Sequence, residues 1–270
     1  MTTTQIGLVD WRLPVNGPEA VVLAAELGAD GLQVDFGGPG RAPELDEPGR
    51  LRGMRSAFGD TGVAPLAVSV NVLNDIGLTA PEGTEGARRV RGVISRALDL
   101  AGSVGAGLVF LPSFRRSAID GAQALARTVE VLRWACDEAG RRELLLANEN
   151  VLTPGDLREL VRRVDSPSFR VVVDTGNIAV FGLTSAEVID AAGPLVANQV
   201  HVKNADAVKP LALEESPVVD ALAELDRAGV TITALVLEND HRDGDLARVA
   251  ADLDWLRAHV ATRSPSGAAA

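Results

Sequence analysis

The stretch RVVVDTGN, residues 170–177, is a short apolar run that ends in an acid and turn residues. Three valines are typical of a buried strand, and Asp174 stands where the chain leaves that strand. One acid at a strand-to-helix junction carries little information, because Asp commonly caps the next helix there. The interpretation therefore depends on whether other strands of the chain end in the same way.

Eight apolar runs have the length of a strand, and longer amphipathic segments lie between them. The predicted strands are QIGLVD (5–10), GLQVDF (31–36), VAPLAVSV (63–70), GLVFLP (107–112), LLLAN (144–148), FRVVVD (169–174), NQVHV (198–202) and ITALVLE (232–238). Apolar residues at three- and four-residue spacing predict helices between these strands. Several helical segments end at Gly28, Gly105, Gly140 or Gly229, which suits a left-handed C-terminal cap.

Strict alternation of strand and helix predicts parallel strands joined by helical crossovers. Eight such units in 270 residues favour a single α/β domain, a (β/α)8 TIM barrel over residues 1–260. A doubly wound open sheet is the alternative architecture. The last stretch, 261–270, is small, polar and Pro-containing, and we expect a disordered tail there.

Composition argues against several classes of partner. The formal net charge of −11 would repel both nucleic acid and anionic membranes, so neither is expected to bind. Cys136 is the only cysteine and allows no intramolecular disulfide, and no apolar run is long enough to span a bilayer. These features predict a cytoplasmic protein with a small-molecule partner, and they leave a homo-oligomer open.

The ends of the last four strands carry residues that bind metals. Strand five ends with Glu149, strand six with Asp174, strand seven carries His201 and strand eight ends with Glu238. In a TIM barrel the reactive groups lie at these C-terminal ends, and adjacent strands are only about 4.8 Å apart. Three carboxylates and one imidazole form a mostly hard-oxygen set that suits Mn2+, Mg2+ or Co2+, with Zn2+ as an alternative, and Mn2+ is the ion that we predict.

This order of residues, with the local signatures VDTGN and HVKN, resembles the xylose isomerase-like superfamily of sugar isomerases and epimerases. The resemblance implies a TIM barrel with one divalent ion beneath a bound sugar or polyol. The ligands that it implies are Glu149, Asp174, His201 and Glu238. It also implies that Glu149 and Glu238 are the catalytic acid and base groups. Asn177 and Gln33 depart from the family pattern, in which many members have histidine and glutamate at or near those positions.

The predicted activity is metal-dependent isomerisation or epimerisation of a sugar, a keto-polyol or a related hydroxy-carbonyl compound. Removal of a proton next to the carbonyl would give an enediolate that the ion stabilises. If that intermediate instead expels a β-substituent, the protein is a lyase, either an inosose-type dehydratase or a C-glycoside-cleaving enzyme. A non-catalytic sugar-binding barrel is the alternative from a different class.

Four further residues are candidates for substrate binding: Trp11, Arg115, Asn177 and Lys203. Trp11 would form an apolar wall or pack the barrel mouth, and Lys203 would bind a substrate oxygen or pair with an acid. Arg115 and its neighbour Arg116 would hold an anion or form a solvated pair. We expect an unphosphorylated substrate, because the loops after strands seven and eight lack the Gly-rich turn of barrel phosphate sites.

Overall fold

Eight parallel strands form one sheet in the computed structural model, which describes residues 4–212 and 216–263. The strands are β1 Gln5–Val9, β2 Gly31–Asp35, β3 Ala64–Ser69, β4 Leu108–Pro112, β5 Leu145–Glu149, β6 Phe169–Val171, β7 Gln199–Val202 and β8 Ala234–Leu237. Their order in the sheet is β6-β5-β4-β3-β2-β1-β8-β7, and every pairing is parallel. All eight predicted strands are therefore confirmed.

The sheet curls until its two outer strands, β6 and β7, meet. Isolated parallel bridges join Val171 to Val196 and Asp174 to His201 across this seam. The strand order follows the chain without the reversal that defines a doubly wound sheet. The prediction of an α/β TIM barrel is thus confirmed, and the open-sheet alternative is wrong.

Helices cover the outside of the strands. Within the described residues the α-helices are α1 Pro18–Glu26, α2 Pro48–Thr61, α3 Leu73–Ile76, α4 Glu85–Val104, α5 Ala122–Gly140, α6 Pro154–Val164, α7 Thr175–Val180, α8 Ser185–Ala192, α9 Pro217–Arg227 and α10 Leu246–Arg263. Residues 261–263 thus belong to α10 rather than to the predicted tail, and residues 264–270 lie outside the described residues. None of the helices described is long and apolar enough to cross a membrane.

Three of the four predicted glycine caps have the expected backbone. Gly28, Gly105 and Gly229 have φ of 72°, 87° and 68°, a region that glycine enters without a steric penalty. Gly140 was predicted wrongly, because it is the last residue of α5 and Glu143 takes the left-handed position instead, with φ of 57°. The turn after α5 is therefore three residues longer than the position of its glycine indicates.

Side chains alternate between two layers along each strand. On β8, Leu235 and Leu237 join the large core beneath the helices, whereas Ala234 and Val236 belong to a small cluster made of strand residues inside the barrel. Glu238 follows Val236 by two residues and so continues the inner row. Glu149 continues the inner row of β5 in the same way, after Ala147.

The chain leaves β6 earlier than predicted. The strand ends at Val171, and Asp174 is instead the N-cap of α7, where its Oδ1 accepts a hydrogen bond of 2.7 Å from the backbone N–H of Asn177. A side chain that caps a helix needs a non-helical backbone just outside it, which ends the ladder locally. Asp174 still pairs with His201 across the seam between β6 and β7.

Candidate metal centre and substrate cavity

The four predicted ligands meet at the C-terminal end of the barrel. Glu149, Asp174, His201 and Glu238 each offer one ligand atom, and these atoms lie within 4.8 Å of one another. All four side chains are buried, with relative exposures of 6%, 2%, 1% and 5%. Strands β5 to β8 thus converge on one small volume, as the sequence predicted.

One buried atom of this cluster, His201 Nδ1, has no hydrogen-bond partner. His201 Nδ1 lies 3.2 Å from Glu238 Oε2 and 3.8 Å from Asp174 Oδ2 without a well-directed hydrogen bond to either. Buried polar atoms without partners are rare, and atoms that ligate a metal are one physical reason for them. The unpartnered His201 Nδ1, with carboxylates beside it, therefore fits a cation at this position.

A chain of amides orients the His201 ring. Gln199 Nε2 donates to the backbone oxygen of Leu66 at 2.8 Å, and Gln199 Oε1 accepts from Gln33 Nε2 at 2.9 Å. Gln33 Oε1 must then accept the N–H of His201 Nε2, at 2.8 Å. Because a backbone oxygen only accepts, the direction of the whole chain is fixed. It holds the proton on Nε2 and turns Nδ1 toward the carboxylates.

Lys203 supplies the nearest positive charge to the cluster. Its Nζ lies 2.9 Å from Asp174 Oδ2 and 2.9 Å from Glu238 Oε2, and the side chain is buried. Burial opposes the charge, but the surrounding carboxylates raise the pKa of Lys203 well above its usual value. Of the two sequence interpretations, the structure has the pairing with acids. With Glu149 ionised and His201 neutral, as metal ligands must be, three carboxylates against one ammonium leave two negative charges, which a divalent cation would balance.

The pKa values of Glu149 and Glu238 are shifted in opposite directions from their ordinary value. Burial and the charges of Asp174 and Glu238 raise the pKa of Glu149 to about 8. Burial acts the same way on Glu238, but Lys203 and His201 outweigh it and hold the pKa of Glu238 well below its usual range. Burial also lowers the basicity of His201, yet the Glu238 charge prevails and raises its pKa to about 10. A cation at Nδ1 would displace that added proton, since ligands bind metals in their deprotonated form.

Asn177 links the helix cap to the cluster. Its backbone N–H donates to the N-cap carboxylate of Asp174, and its side-chain Nδ2 donates to Glu149 Oε1 at 2.5 Å. The side chain also lines the cavity described below. Asn177 therefore orients the Glu149 carboxyl from the position where many family members have histidine.

Gly176 is required by a close approach of two backbone segments. A Cβ at this position would lie 2.5 Å from the backbone oxygen of Asn204 and 2.5 Å from Lys203 Cγ. The approach is held by Thr175, whose hydroxyl donates to the Lys203 backbone oxygen at 2.7 Å and accepts from its N–H at 3.0 Å. Glycine at 176 thus lets the end of β7 pack directly against the first turn of α7.

A cavity of about 280 Å³ opens above the cluster at the barrel mouth. Glu149 and Glu238 lie in its lining together with all four predicted substrate-binding residues, Trp11, Arg115, Asn177 and Lys203. Trp11 also donates its Nε1–H to Glu238 Oε1 at 2.9 Å. The volume is near the lower end of the range for ligand cavities, about 300–1,000 Å³, and suits a molecule of monosaccharide size.

Sequence reasoning missed eight of the fourteen residues of this lining. The additional residues are Arg12, Arg41, Asn71, Asn74, Pro112, Phe114, Phe181 and Arg242. Each lies at or after the C-terminal end of a strand, and this position was the only signal that could have identified them. A larger cavity of about 820 Å³ lies between α8 and α9, but none of the four cluster residues lines it, so we do not assign the site there.

Comparison with known proteins agrees with this arrangement. The family model described as xylose isomerase-like TIM barrel matches residues 21–259. The chain belongs to the xylose isomerase-like TIM barrel family. The resemblance inferred from VDTGN and HVKN is thereby confirmed, and the metal-ligand types that carried it lie where that family's fold brings four strand ends together.

Relatives of this family member include sugar epimerases. A 2-epi-5-epi-valiolone 7-phosphate 2-epimerase of an Actinoplanes species is 43% identical over 263 residues, which is 94% of each chain. The D-psicose 3-epimerase of Clostridium cellulolyticum H10, solved with D-tagatose, has a TM-score of 0.77 at 15% identity and covers 95% of this chain and 99% of its own. The 3-keto-D-glucoside 4-epimerase of E. coli has a TM-score of 0.74 at 17% identity, with coverage of 95% and 100%. The prediction of an enzyme is confirmed, and the alternative of a non-catalytic barrel is wrong.

Proposed function

We propose that the protein is a divalent-metal-dependent epimerase that inverts the carbon next to the ketone of a phosphorylated cyclic keto-polyol. A compound such as 2-epi-5-epi-valiolone 7-phosphate would be its substrate. The proposal rests on one observation above all: two glutamates of a buried ligand cluster, Glu149 and Glu238, lie in the lining of the cavity that opens above the cluster.

The two glutamates are the proton-transfer groups of the proposal. They come from β5 and from the end of β8, so Asp174 and His201 lie between them in strand order. A ring bound edge-on between the two glutamates would have one carboxylate beside each of its faces. One glutamate removes the proton from the carbon next to the ketone, and the other returns a proton to the opposite face. Asn177 and Trp11 hold the two carboxyl groups in place through the hydrogen bonds described above.

The donor set supports a divalent ion held by Glu149, Asp174, His201 and Glu238. Three oxygen donors and one nitrogen suit Mn2+, with Mg2+, Co2+ or Zn2+ as alternatives. When bound, the ion would supply positive charge that stabilises the negative charge developing on the substrate oxygens as the carbon-bound proton leaves. Trp11 closes one side of the cavity and reduces the access of water to that charge.

The proposed substrate is phosphorylated, in contrast to our expectation from the loops after β7 and β8. The relative of 43% identity carries a 7-phosphate substrate in its name, and it matches this chain over almost its whole length. In addition, Arg12 and Arg41, which the sequence analysis did not name, line the cavity mouth together with Arg115, its candidate for holding an anion. Arg115 then has a role as an anion ligand.

Solvent exchange tests the proposed reaction. Enzyme with Mn2+ is incubated with 2-epi-5-epi-valiolone 7-phosphate in D2O, and the products are followed by NMR. Because separate groups remove and return the proton, the inverted product is expected to carry solvent deuterium at carbon 2 only. Enzyme treated with a chelator and Mn2+ without enzyme are the two controls, and both should leave the substrate unchanged.

Three results would contradict this proposal. Loss of water from the compound would make the protein a lyase, and migration of the carbonyl with deuterium at a second carbon would make it an isomerase. Inversion at full rate after complete removal of metal would leave the acid–base pair but exclude the ion. Localisation in the cytoplasm and assembly into a homo-oligomer remain predictions that this experiment does not address.

A further inference from the structure

Four arginines line the mouth of the cavity, and each of two aspartates forms ion pairs with two of them. The arginines are Arg12, Arg41, Arg115 and Arg242. Asp75 forms ion pairs with Arg41 and Arg115, and Asp240 forms ion pairs with Arg12 and Arg242. Even with Asp35 near Arg41 included, three acids against four guanidinium groups leave the rim with an excess of positive charge. This excess faces a cavity in a protein whose overall net charge is −11.

We propose that Arg41 and Arg115 form a subsite for the phosphate monoester of the substrate, on the side of the mouth built by the loops after β2, β3 and β4. This inference rests on the function proposed above and names the residues that recognise the phosphate. The chemistry recognised is a dianionic phosphate on a primary alcohol, which planar guanidinium groups bind with paired N–H donors.

Asp75 aligns the two guanidinium groups. Arg41 donates from Nε to Asp75 Oδ2 at 2.8 Å, and Arg115 donates from Nη1 to Asp75 Oδ1 at 3.2 Å. Each guanidinium group has five N–H donors, so several on each remain for a ligand. Asp35 Oδ2 is 3.9 Å from Arg41 Nη1, which is too long for a hydrogen bond. One carboxylate therefore holds two cations side by side without using up their donors.

The place of this pair in the barrel matches the shape of the substrate. The ligand cluster lies at the ends of β5 to β8, whereas Arg41 and Arg115 follow β2 and β4 and meet at Asp75, which follows β3, the strand opposite β7 in the barrel. In a six-membered ring with its phosphate arm on carbon 5, the arm is opposite carbon 2. A substrate with carbon 2 over the glutamates would therefore extend its phosphate toward these arginines.

The backbone at Arg115 is consistent with a positioned group. Its φ is 50°, a left-handed conformation that is unfavourable for a non-glycine residue and is found mainly where the surroundings require it. The loop is fixed by Asn74, whose Oδ1 accepts the backbone N–H of Phe114 at 2.9 Å. Arg115 thus leaves the loop in a defined direction even though most of its side chain is exposed.

The other two arginines suit the phosphate less well. Arg242 commits both Nε and Nη2 to Asp240, at 2.8 and 2.5 Å, so its paired donors are already used. Arg12 lies beside the reaction centre, with Nε 3.9 Å from Glu238 Oε1. A phosphate at Arg12 would place its charge next to the carboxylate that handles the proton.

Substitution of the arginines tests the subsite in the full-length enzyme with Mn2+. Arg41→Gln and Arg115→Gln are compared with Arg116→Gln, a control that removes the same charge from the adjacent, exposed residue. For each enzyme, kcat/KM is measured with 2-epi-5-epi-valiolone 7-phosphate and with the unphosphorylated ketone. Each of the first two variants should lower the ratio of the phosphorylated to the unphosphorylated value by about 10- to 100-fold. The control should leave the ratio unchanged.

Equal losses for both substrates would overturn the subsite, because they would indicate a general effect on the cavity. A ratio that is unchanged in Arg41→Gln and Arg115→Gln would overturn it as well. The wild type and the three variants are also titrated with inorganic phosphate in the absence of metal. This titration measures phosphate binding independently of the proposed reaction. If no enzyme turns over either compound, weaker phosphate binding in the two variants alone still supports the subsite, and equal binding in all four proteins overturns it.

Discussion

Replacing Gln33 by leucine should weaken metal binding without touching a ligand. Gln33 is 1% exposed, accepts the His201 Nε2–H and donates to Gln199 Oε1. Leucine fills a similar volume but leaves both partners without a hydrogen bond. Each loss costs about 1–3 kcal/mol when buried, and Gln199 is partly exposed, so we expect a total of about 2–4 kcal/mol. The free His201 ring should lower the affinity for Mn2+ by about 10- to 100-fold.

Calorimetric titration of Mn2+ into chelator-stripped protein measures the affinity, and urea unfolding measures the stability. His201→Ala sets the upper limit of the effect, since it removes the ligand itself. Gln33→Glu should retain most of the affinity because it still accepts the His201 Nε2–H. Gln123→Leu, at an exposed glutamine, controls for the substitution. A folded Gln33→Leu protein that binds Mn2+ as tightly as the wild type would refute the orienting role of the amide chain.

Two further predictions concern the glutamates. Glu149→Gln and Glu238→Gln should each lower turnover at least about 100-fold with the fold intact, because each removes a ligand charge and a proposed proton-transfer group. Circular dichroism would check the fold, and NMR of the products would check turnover. Activity retained in either variant would exclude that glutamate as a proton-transfer group. Without metal, the folded protein keeps the Glu149 proton up to its pKa of about 8, whereas the unfolded chain loses it near the ordinary 4.5. The free energy of unfolding of the wild type should therefore fall as the pH rises from 4.5 to about 8, by at most about 1.4 kcal/mol per pH unit. Over the same range, the melting temperature of Glu149→Gln should rise relative to that of the wild type. A constant difference in melting temperature would show that Glu149 is already ionised in the metal-free fold.

The cluster of Glu149, Asp174, His201 and Glu238 could be predicted from sequence because strand geometry leaves little freedom. Once eight strands alternate with helices, their C-terminal ends share one rim, and residue parity decides which side chains face inward. Glu238 follows this rule after Ala234 and Val236. Asp174 does not, since the chain leaves β6 at Val171, yet the helix cap returns its carboxylate to the same point.

The surroundings of the cluster could not be predicted in this way. The hydrogen bond from Gln33 to Gln199 spans 166 residues and depends on two strands on different sides of the barrel. Arg12, Arg41 and Arg242 come from loops, whose paths are set by local contacts rather than by a repeating pattern. An arginine after a strand is common on any protein surface. Only its proximity to other arginines in the folded structure indicates a role in binding an anion.

Gly176 sets a limit on how this enzyme can be redesigned. Position 176 borders the reaction centre, so a mutational library aimed at new substrates would ordinarily include it. The Asn204 backbone oxygen, 2.5 Å from any Cβ placed there, cannot be trimmed by a compensating substitution as the Lys203 side chain can. Diversity placed at 176 would mostly produce unfolded variants, whereas Phe181 and Arg242 line the same cavity with exposed side chains. Productive searches for altered specificity should begin at those outer positions and keep the glycine fixed.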